Sequence, residues 1–134
     1  MQLSTKGRYS LEAMLYLACA GIPQNGMQIQ EATGIPFGYL EQLMIPLRKA
    51  HLVASVRGAY GGYRLAHTGI TCQEVLAASE GGLKLPCRGC KRSGACRTEG
   101  FWADLENVIR STTASITLQD LAAHLPALGK GMGI

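Results

Sequence analysis

The first stretch of the chain carries apolar residues every three or four positions, the spacing of one helix face. The repeat follows Ser4 and Thr5, two residue types that cap helices, and it stops before Pro23 and Gly26. The pattern predicts an amphipathic helix over residues 5–20. Its apolar positions are Leu11, Met14, Leu15, Ala18 and Ile22. Cys19 lies on this apolar stripe, so we expect it to be a core residue.

Two shorter helical segments follow, over residues 28–33 and 37–50, and Gly34 separates them. The second segment places Leu40, Leu43 and Leu47 on one side, which predicts burial of that side. Two helices joined by a glycine turn form the layout of a helix-turn-helix. Pro46 lies inside the second segment and removes one backbone hydrogen bond, so we expect a bend near residue 42.

A period-two alternation over residues 52–56, a glycine-rich stretch over 57–62 and a short run over 63–65 predict a β-hairpin, or wing. Thr71 and Glu74 have the spacing of a capping box and predict a helix that ends near Ser79. Residues 82–98 have no periodicity. Helical spacing returns at residue 101, and a last short helix begins at Thr117.

The predicted fold is therefore mainly α, a winged helix-turn-helix with a small β-hairpin wing and a long C-terminal dimerisation helix. We divide its one compact domain into a DNA-binding region (1–66), a linker helix with a cysteine-rich loop (67–98) and a dimerisation helix with a short last helix and tail (99–134). The long helix has a continuous apolar stripe suited to a partner copy, in a chain of only 134 residues. Its members are Leu105, Val108, Ile109 and Thr112.

The net charge of +4 is concentrated in the first half of the chain. Residues 1–66 hold six Lys or Arg and three Glu, an excess of three, and the remainder has an excess of one. The half with the helix-turn-helix is therefore the better candidate for contact with a polyanion. No long apolar run or secretory signal pattern is present in the sequence, so we expect a cytoplasmic protein that does not insert into membranes.

A helix reads DNA by entering the major groove and presenting polar side chains to base edges. In the third predicted helix, Tyr39 and Gln42 can donate or accept hydrogen bonds, and Glu41 can accept one from a cytosine amino group. The alternative is an ordinary solvated helix face. Phosphate contacts are predicted for Lys6, Arg8 and Lys49, and a minor-groove or phosphate contact for Arg57 beside the wing tip.

Three of the five cysteines lie within ten positions, at Cys87, Cys90 and Cys96. Close thiolates, intervening glycines and the nearby cations Arg88, Lys91, Arg92 and Arg97 suit a soft metal centre. An iron-sulfur cluster, zinc, a reversible disulfide and inert thiols all fit this spacing. Glu99 lies one turn after the last of these cysteines and is a candidate fourth ligand. Cys72, in the first turn of a helix, is interpreted as incidental.

Several runs of residues, spread over nearly the whole chain, resemble the Rrf2 family of bacterial transcription regulators. The runs are LSxKGRY at 3–9, YLEQL at 39–43, LRKA at 47–50, LV at 52–53, SVRG at 55–58, GGY at 61–63, FW at 101–102 and ITL at 116–118. The resemblance implies a winged-helix homodimer that binds double-stranded DNA. It also implies base reading by residues 39, 41, 42 and 57 and a cluster, 2Fe-2S or 4Fe-4S, on Cys87, Cys90 and Cys96.

We therefore interpret the chain as a dimeric regulator that recognises a palindromic operator and whose DNA affinity depends on an iron-sulfur cluster. A second interpretation keeps the regulator but makes the cysteines a thiol switch, or leaves sensing to a partner protein. A small electron-transfer protein is a third, which the predicted wing argues against. No nucleophile-base pair or phosphate loop is present in the sequence, so we do not expect an enzyme.

Overall fold

Six helices and one two-stranded hairpin make up the part of the chain that the computed structural model describes, residues 4–80, 91 and 94–124. The mainly helical winged-helix class predicted from the sequence is confirmed. In chain order the elements are α1 (Thr5–Ala20), α2 (Gly26–Thr33), α3 (Phe37–Lys49), β1 (Val53–Val56), β2 (Gly62–Leu65), α4 (Cys72–Glu80), α5 (Glu99–Ser115) and α6 (Leu118–Ala123).

The ends of the first two helices are set by local capping. Ser4 caps α1 by accepting a hydrogen bond from the Gly7 amide, and α1 ends at Gly21 in the left-handed region at φ 70°. Helix α2 begins two residues earlier than the sequence pattern predicted. Asn25 and Gln28 form a capping box, each side chain accepting at 2.8 Å from the amide of the other, and this fixes the start at Gly26.

The buried face of α1 coincides only in part with the predicted apolar repeat. Met14 is buried and Leu11 and Ala18 are half-buried against the core, as predicted, but the centre of the face is rotated toward other residues. Its fully buried side chains include Met14 and Leu17, but also Ser10 and Ala13, while Ile22 beyond the helix is 65% exposed. Small residues on this side allow α4 and α6 to approach α1 closely, and both helices pack there. Cys19 lies on the opposite side and is exposed, so its predicted core position is wrong.

Helix α3 runs without interruption through Pro46, although proline cannot donate to the carbonyl of Gln42. The side chains that hold it are Leu40, Leu43, Met44 and Leu47, each at most 1% exposed. Burial of four large apolar side chains outweighs one missing backbone hydrogen bond, which explains why the helix persists. The bend near residue 42 stays a prediction.

The remaining elements close the core around α1 and α3. The hairpin pairs Val53 with Leu65 and Val56 with Gly62. The predicted capping box at Thr71 and Glu74 is confirmed, with the Glu74 amide donating to the Thr71 hydroxyl at 3.1 Å. A single antiparallel bridge between Thr71 and Thr117 joins the starts of α4 and α6. Among the described residues, no helix is both long and apolar enough to cross a bilayer.

Two neighbouring positions in α3 should differ sharply in their contribution to stability. Leu47→Ala removes a fully buried side chain and should lower the free energy of unfolding by about 2–5 kcal/mol. Ile45→Ala removes a side chain that is 48% exposed and should change it by only about 0.5 kcal/mol. Denaturant titration followed by circular dichroism measures both values, and equal losses would contradict this arrangement.

Candidate nucleic-acid interface and cysteine segment

One face of α3 is exposed along its whole length. Successive helical residues rotate by about 100°, so positions 38, 41, 42, 45 and 49 share one side. Every one of these residues is exposed. The face presents the carboxylate of Glu41, the amide of Gln42 and the ammonium of Lys49, with the aliphatic Ile45 between them. The structure thus brings together the predicted contact residues Glu41, Gln42 and Lys49. The sequence patterns did not indicate that Ile45 lies on the same face.

Helix α2 holds the start of α3 in place. The amide of Phe37, the first residue of α3, donates to the side-chain oxygen of Gln30 at 2.7 Å. The Phe37 ring lies directly against Gly26, where any larger residue would overlap it. One polar contact and one close backbone approach therefore fix the angle between the two helices of the helix-turn-helix.

Tyr39 is placed differently from the other predicted base-reading residues. It is half-buried, and its ring meets the ring of Tyr9 edge to face, with the centroids 5.8 Å apart. This pair joins the start of α3 to the start of α1, where Lys6 and Arg8 are exposed. Tyr39 thus lies at the side of the exposed face, where it connects α3 to the start of α1.

The wing extends from the C-terminal side of α3. Arg48, in the last turn of α3, donates from Nη1 to the hydroxyl of Ser55 on β1 at 3.0 Å. Arg57 follows the end of β1 and is exposed, and Tyr60 in the same turn is 94% exposed. A bond from the Gly61 amide to the Gly58 carbonyl closes the turn at 3.0 Å.

The turn between α1 and α2 anchors the wing from the other side. Gln24 and Tyr63 exchange two backbone hydrogen bonds, of 2.9 and 2.8 Å. The Gln24 side chain is 7% exposed, accepts from the Tyr16 hydroxyl at 2.7 Å and donates to the Pro23 carbonyl at 3.1 Å. Gly62 has φ 144° and faces the Gln24 backbone, where a Cβ atom would overlap the carbonyl. Sequence reasoning missed this anchor, because no periodic pattern marks a single bridging residue.

The predicted phosphate contacts are all available to a partner. Lys6, Arg8, Lys49 and Arg57 are exposed. Within the described part of the chain, none of their side chains meets a carboxylate. Exposed cations that are not neutralised internally can bind phosphate oxygens, and this supports the predicted interface.

The stretch from Cys87 to Cys96 is called the cysteine segment here. Only part of it is described, because Cys87 and Cys90 lie outside the described residues. Cys96 is half-buried, and its Sγ lies 3.3 Å from the Thr98 hydroxyl. Hydrogen bonds from the Thr98 side chain and then from its backbone lower the pKa of the Cys96 thiol. The thiolate is the form that binds metals and attacks disulfides, so this surrounding suits both predicted chemistries.

Glu99 lies in the same turn as Cys96, with its backbone amide donating to the Cys96 carbonyl at 3.3 Å. Its carboxylate accepts a hydrogen bond from the Gly94 amide at 2.7 Å. Across residues 4–80, 91 and 94–124, no three metal-ligating side chains come together. The described ligand candidates are therefore one thiol and one carboxylate at the start of α5.

Cys72 has a different environment. It is buried at the start of α4, and burial first, then the nearby negative charge of Asp120, raises the pKa of its thiol. A buried thiol with a raised pKa reacts slowly and behaves as a small apolar residue. This agrees with its interpretation as incidental.

Comparison with known proteins identifies the family. The family model described as Rrf2, iron-dependent transcriptional regulator, matches residues 3–124. The chain belongs to the Rrf2 family. It is 42% identical to the HTH-type transcriptional regulator IscR of Vibrio campbellii over 130 residues, which covers 90% of this chain and 77% of that protein.

Solved structures of Rrf2-type regulators share this fold. The chain is 36% identical to IscR of T. potens, with a TM-score of 0.79 over 96% of this chain and 90% of that one. It is 34% identical to CymR, the global cysteine regulator of B. subtilis, with a TM-score of 0.78 over 92% and 98%. These matches confirm a DNA-binding transcription regulator and the prediction that the protein is not an enzyme.

The Gly62 position offers a test of how the wing contributes to DNA binding. Gly62→Ala should displace β2 from Gln24 and weaken binding to a selected DNA site by about 5- to 150-fold, the equivalent of about 1–3 kcal/mol of wing contacts. Gly69→Ala is the matched control, because Gly69 also has a positive φ, of 80°, but open space around it. Fluorescence anisotropy measures both affinities, and equal values for the two variants would argue against a positioned wing.

Proposed function

We propose that the protein is a dimeric regulator that reads a palindromic operator through α3 and the wing, and that a cluster on Cys87, Cys90 and Cys96 controls its DNA affinity. The observation that carries this proposal is the exposed face of α3, which α2 holds in place at its start and the wing at its end. Membership of a family described as iron-dependent supports the control by a cluster.

In the proposed complex α3 lies in the major groove. Glu41 and Gln42 face the base edges, while Tyr39 at the side of this face contacts a base edge or a phosphate. Arg57 reaches the minor groove or its phosphates, and the glycine-rich wing tip lets the backbone follow. The exposed cations Lys6, Arg8 and Lys49 bind phosphates on either side.

The proposed dimer interface lies on α5. Helix α5 has no buried residue, and Phe101 and Val108 on its outer side are 58% and 60% exposed. The predicted stripe is divided in the structure, since Leu105 and Ile109 are half-buried while Val108 and Thr112 are exposed. The interface that we propose is therefore centred on Phe101, Val108 and Thr112, with Leu105 and Ile109 at its edge.

A charge introduced at the centre of this face should separate the subunits. Val108→Asp is expected to give monomers in sedimentation equilibrium, because an unpaired carboxylate would be buried in an apolar interface. Ala103→Asp carries the same charge on the opposite side of α5, where Ala103 is exposed, and should leave the dimer intact. If the Val108→Asp variant forms dimers with the same dissociation constant as the wild type, this interface is excluded.

The cysteine segment would hold the cluster through its three thiolates, the ligands that iron-sulfur clusters prefer in proteins. Cys96 fits this role, because it is only half-buried and its thiol lies within hydrogen-bond distance of the Thr98 hydroxyl. Glu99 is the nearest described carboxylate and the proposed fourth ligand. A bound cluster would supply a redox-sensitive centre at these residues.

Helix α4 offers a route from this segment to the DNA-binding face. The segment follows α4 along the chain, and α4 packs against both α1 and α3. A change in the segment can therefore shift the helix that supports α3. Coupling between two sites typically amounts to about 1–3 kcal/mol, which changes an affinity by about 5- to 150-fold.

A thiol switch is the second candidate, and the comparisons favour keeping it. One similar structure is the oxidized form of Staphylococcus aureus CymR, 33% identical with a TM-score of 0.75. In this alternative two of the three segment thiols form a reversible disulfide. The DNA interface is the same in both proposals, and only the chemistry of the cysteines differs.

Single Cys87→Ala, Cys90→Ala and Cys96→Ala variants separate the two candidates. In anaerobically reconstituted protein each should abolish the visible charge-transfer absorption and shift operator affinity toward the cluster-free value, by about 5- to 150-fold. Cys19→Ala, at an exposed site on α1, is the control and should retain the spectrum. Protein that binds no iron but changes affinity on oxidation would favour the thiol switch, and protein that does neither would remove both.

A further inference from the structure

Ile45 is a large aliphatic side chain in the middle of a polar helix face. It is 48% exposed, while Met44 beside it is 1% exposed. One turn before it lie Glu41 and Gln42, and one turn after it lies Lys49, all exposed. Isolated exposed aliphatic residues are common on protein surfaces, so the exposure of Ile45 alone does not indicate a binding role. Its position in the middle of the predicted DNA-binding face does.

The core does not account for Ile45. The buried side of α3 is occupied by Leu40, Leu43 and Leu47, so Ile45 lies away from it. A β-branched residue also forms helix less readily than alanine or lysine, so helix stability does not favour it either. The contact that would use this side chain must come from the partner that covers the face.

Gly38 increases the reach of Ile45 toward that partner. Gly38 lies seven residues earlier on the same side of α3, about 10 Å away along the helix axis, and has open space around it. Because Gly38 leaves this side of the first turn without a side chain, the helix can lie close to a groove floor. Ile45 is then the largest apolar group on the side that enters the groove.

DNA offers one apolar group in the major groove, the 5-methyl group of thymine. We propose that Ile45 is a specificity-determining residue that contacts a thymine methyl group in each half-site of the operator. The inference rests on the proposed placement of α3 in the major groove and adds a preference for A·T at one base pair. Glu41 and Gln42 read hydrogen-bonding edges, whereas Ile45 recognises shape and apolar surface.

Replacing thymine by deoxyuridine removes only the methyl group and so tests this contact directly. An operator selected from random DNA by the wild-type protein is remade with deoxyuridine at each thymine in turn. One position per half-site should weaken wild-type binding by about fourfold, the equivalent of about 0.8 kcal/mol for one buried carbon. If no deoxyuridine substitution weakens wild-type binding, the proposal is overturned.

The Ile45→Ala variant completes the test. It should bind the thymine operator more weakly than the wild type and should no longer distinguish thymine from deoxyuridine at the sensitive position. Ile22→Ala removes the same type of side chain at a site that is 65% exposed outside α3, and it should retain the discrimination. Retained discrimination in Ile45→Ala would also overturn the proposal, even if its affinity fell for every sequence.

Gln42→Ala in the same assay distinguishes failure of this inference from failure of the proposed function. If Gln42→Ala changes base preference while Ile45→Ala discriminates like the wild type, α3 reads the groove without Ile45. If neither Gln42→Ala nor Glu41→Ala alters base preference at any position, α3 is not the reading helix and both proposals fail. Circular dichroism confirms that each variant is folded.

Discussion

The double hydrogen bond between Gln24 and Tyr63 fixes the wing against the helix-turn-helix, and the continuity of the DNA-binding surface depends on it. It joins the turn after α1 to the wing, and Tyr16 holds the Gln24 side chain in place beneath it. Because Gly62 has no side chain, the wing backbone can approach the Gln24 backbone this closely. The exposed face of α3 and the wing therefore form one surface instead of two separate features.

Sequence patterns predicted the elements of this surface more successfully than its contacts. The leucines of α3 and the capping residues at Thr71 carry local signals, and both predictions were confirmed. The buried side of α1 was misjudged because Ser10 and Ala13 are buried through close helix packing, which their own hydrophobicity does not indicate. Cys19 was assigned to the core because it was placed on the apolar repeat, whereas it lies on the exposed side of α1.

The candidate site shows a similar division. Glu41 and Gln42 were predicted from their hydrogen-bonding groups near the start of the reading helix and Lys49 from its charge, and the structure places all three on one exposed face. Tyr39 was grouped with them, yet the 100° rotation per residue already places it at the side of this face, and the contact with Tyr9 is the part that only tertiary packing determines. Ile45 was overlooked because an aliphatic residue in a helix is ordinarily assigned to the core.

The bond between Arg48 and Ser55 has a consequence for how a signal could act. Together with the Gln24 bridge, it attaches the wing to the helix-turn-helix at two points, so α3 and the wing move as one rigid body. In the dimer that we propose, a signal would then change the position of one such body relative to the other. That relative position must match the spacing of the two half-sites, which face the same side of B-DNA when they are about 10–10.5 base pairs, or a multiple of this, apart. A signal transmitted through α4 would select among operators by the spacing of their half-sites and leave the preferred bases unchanged.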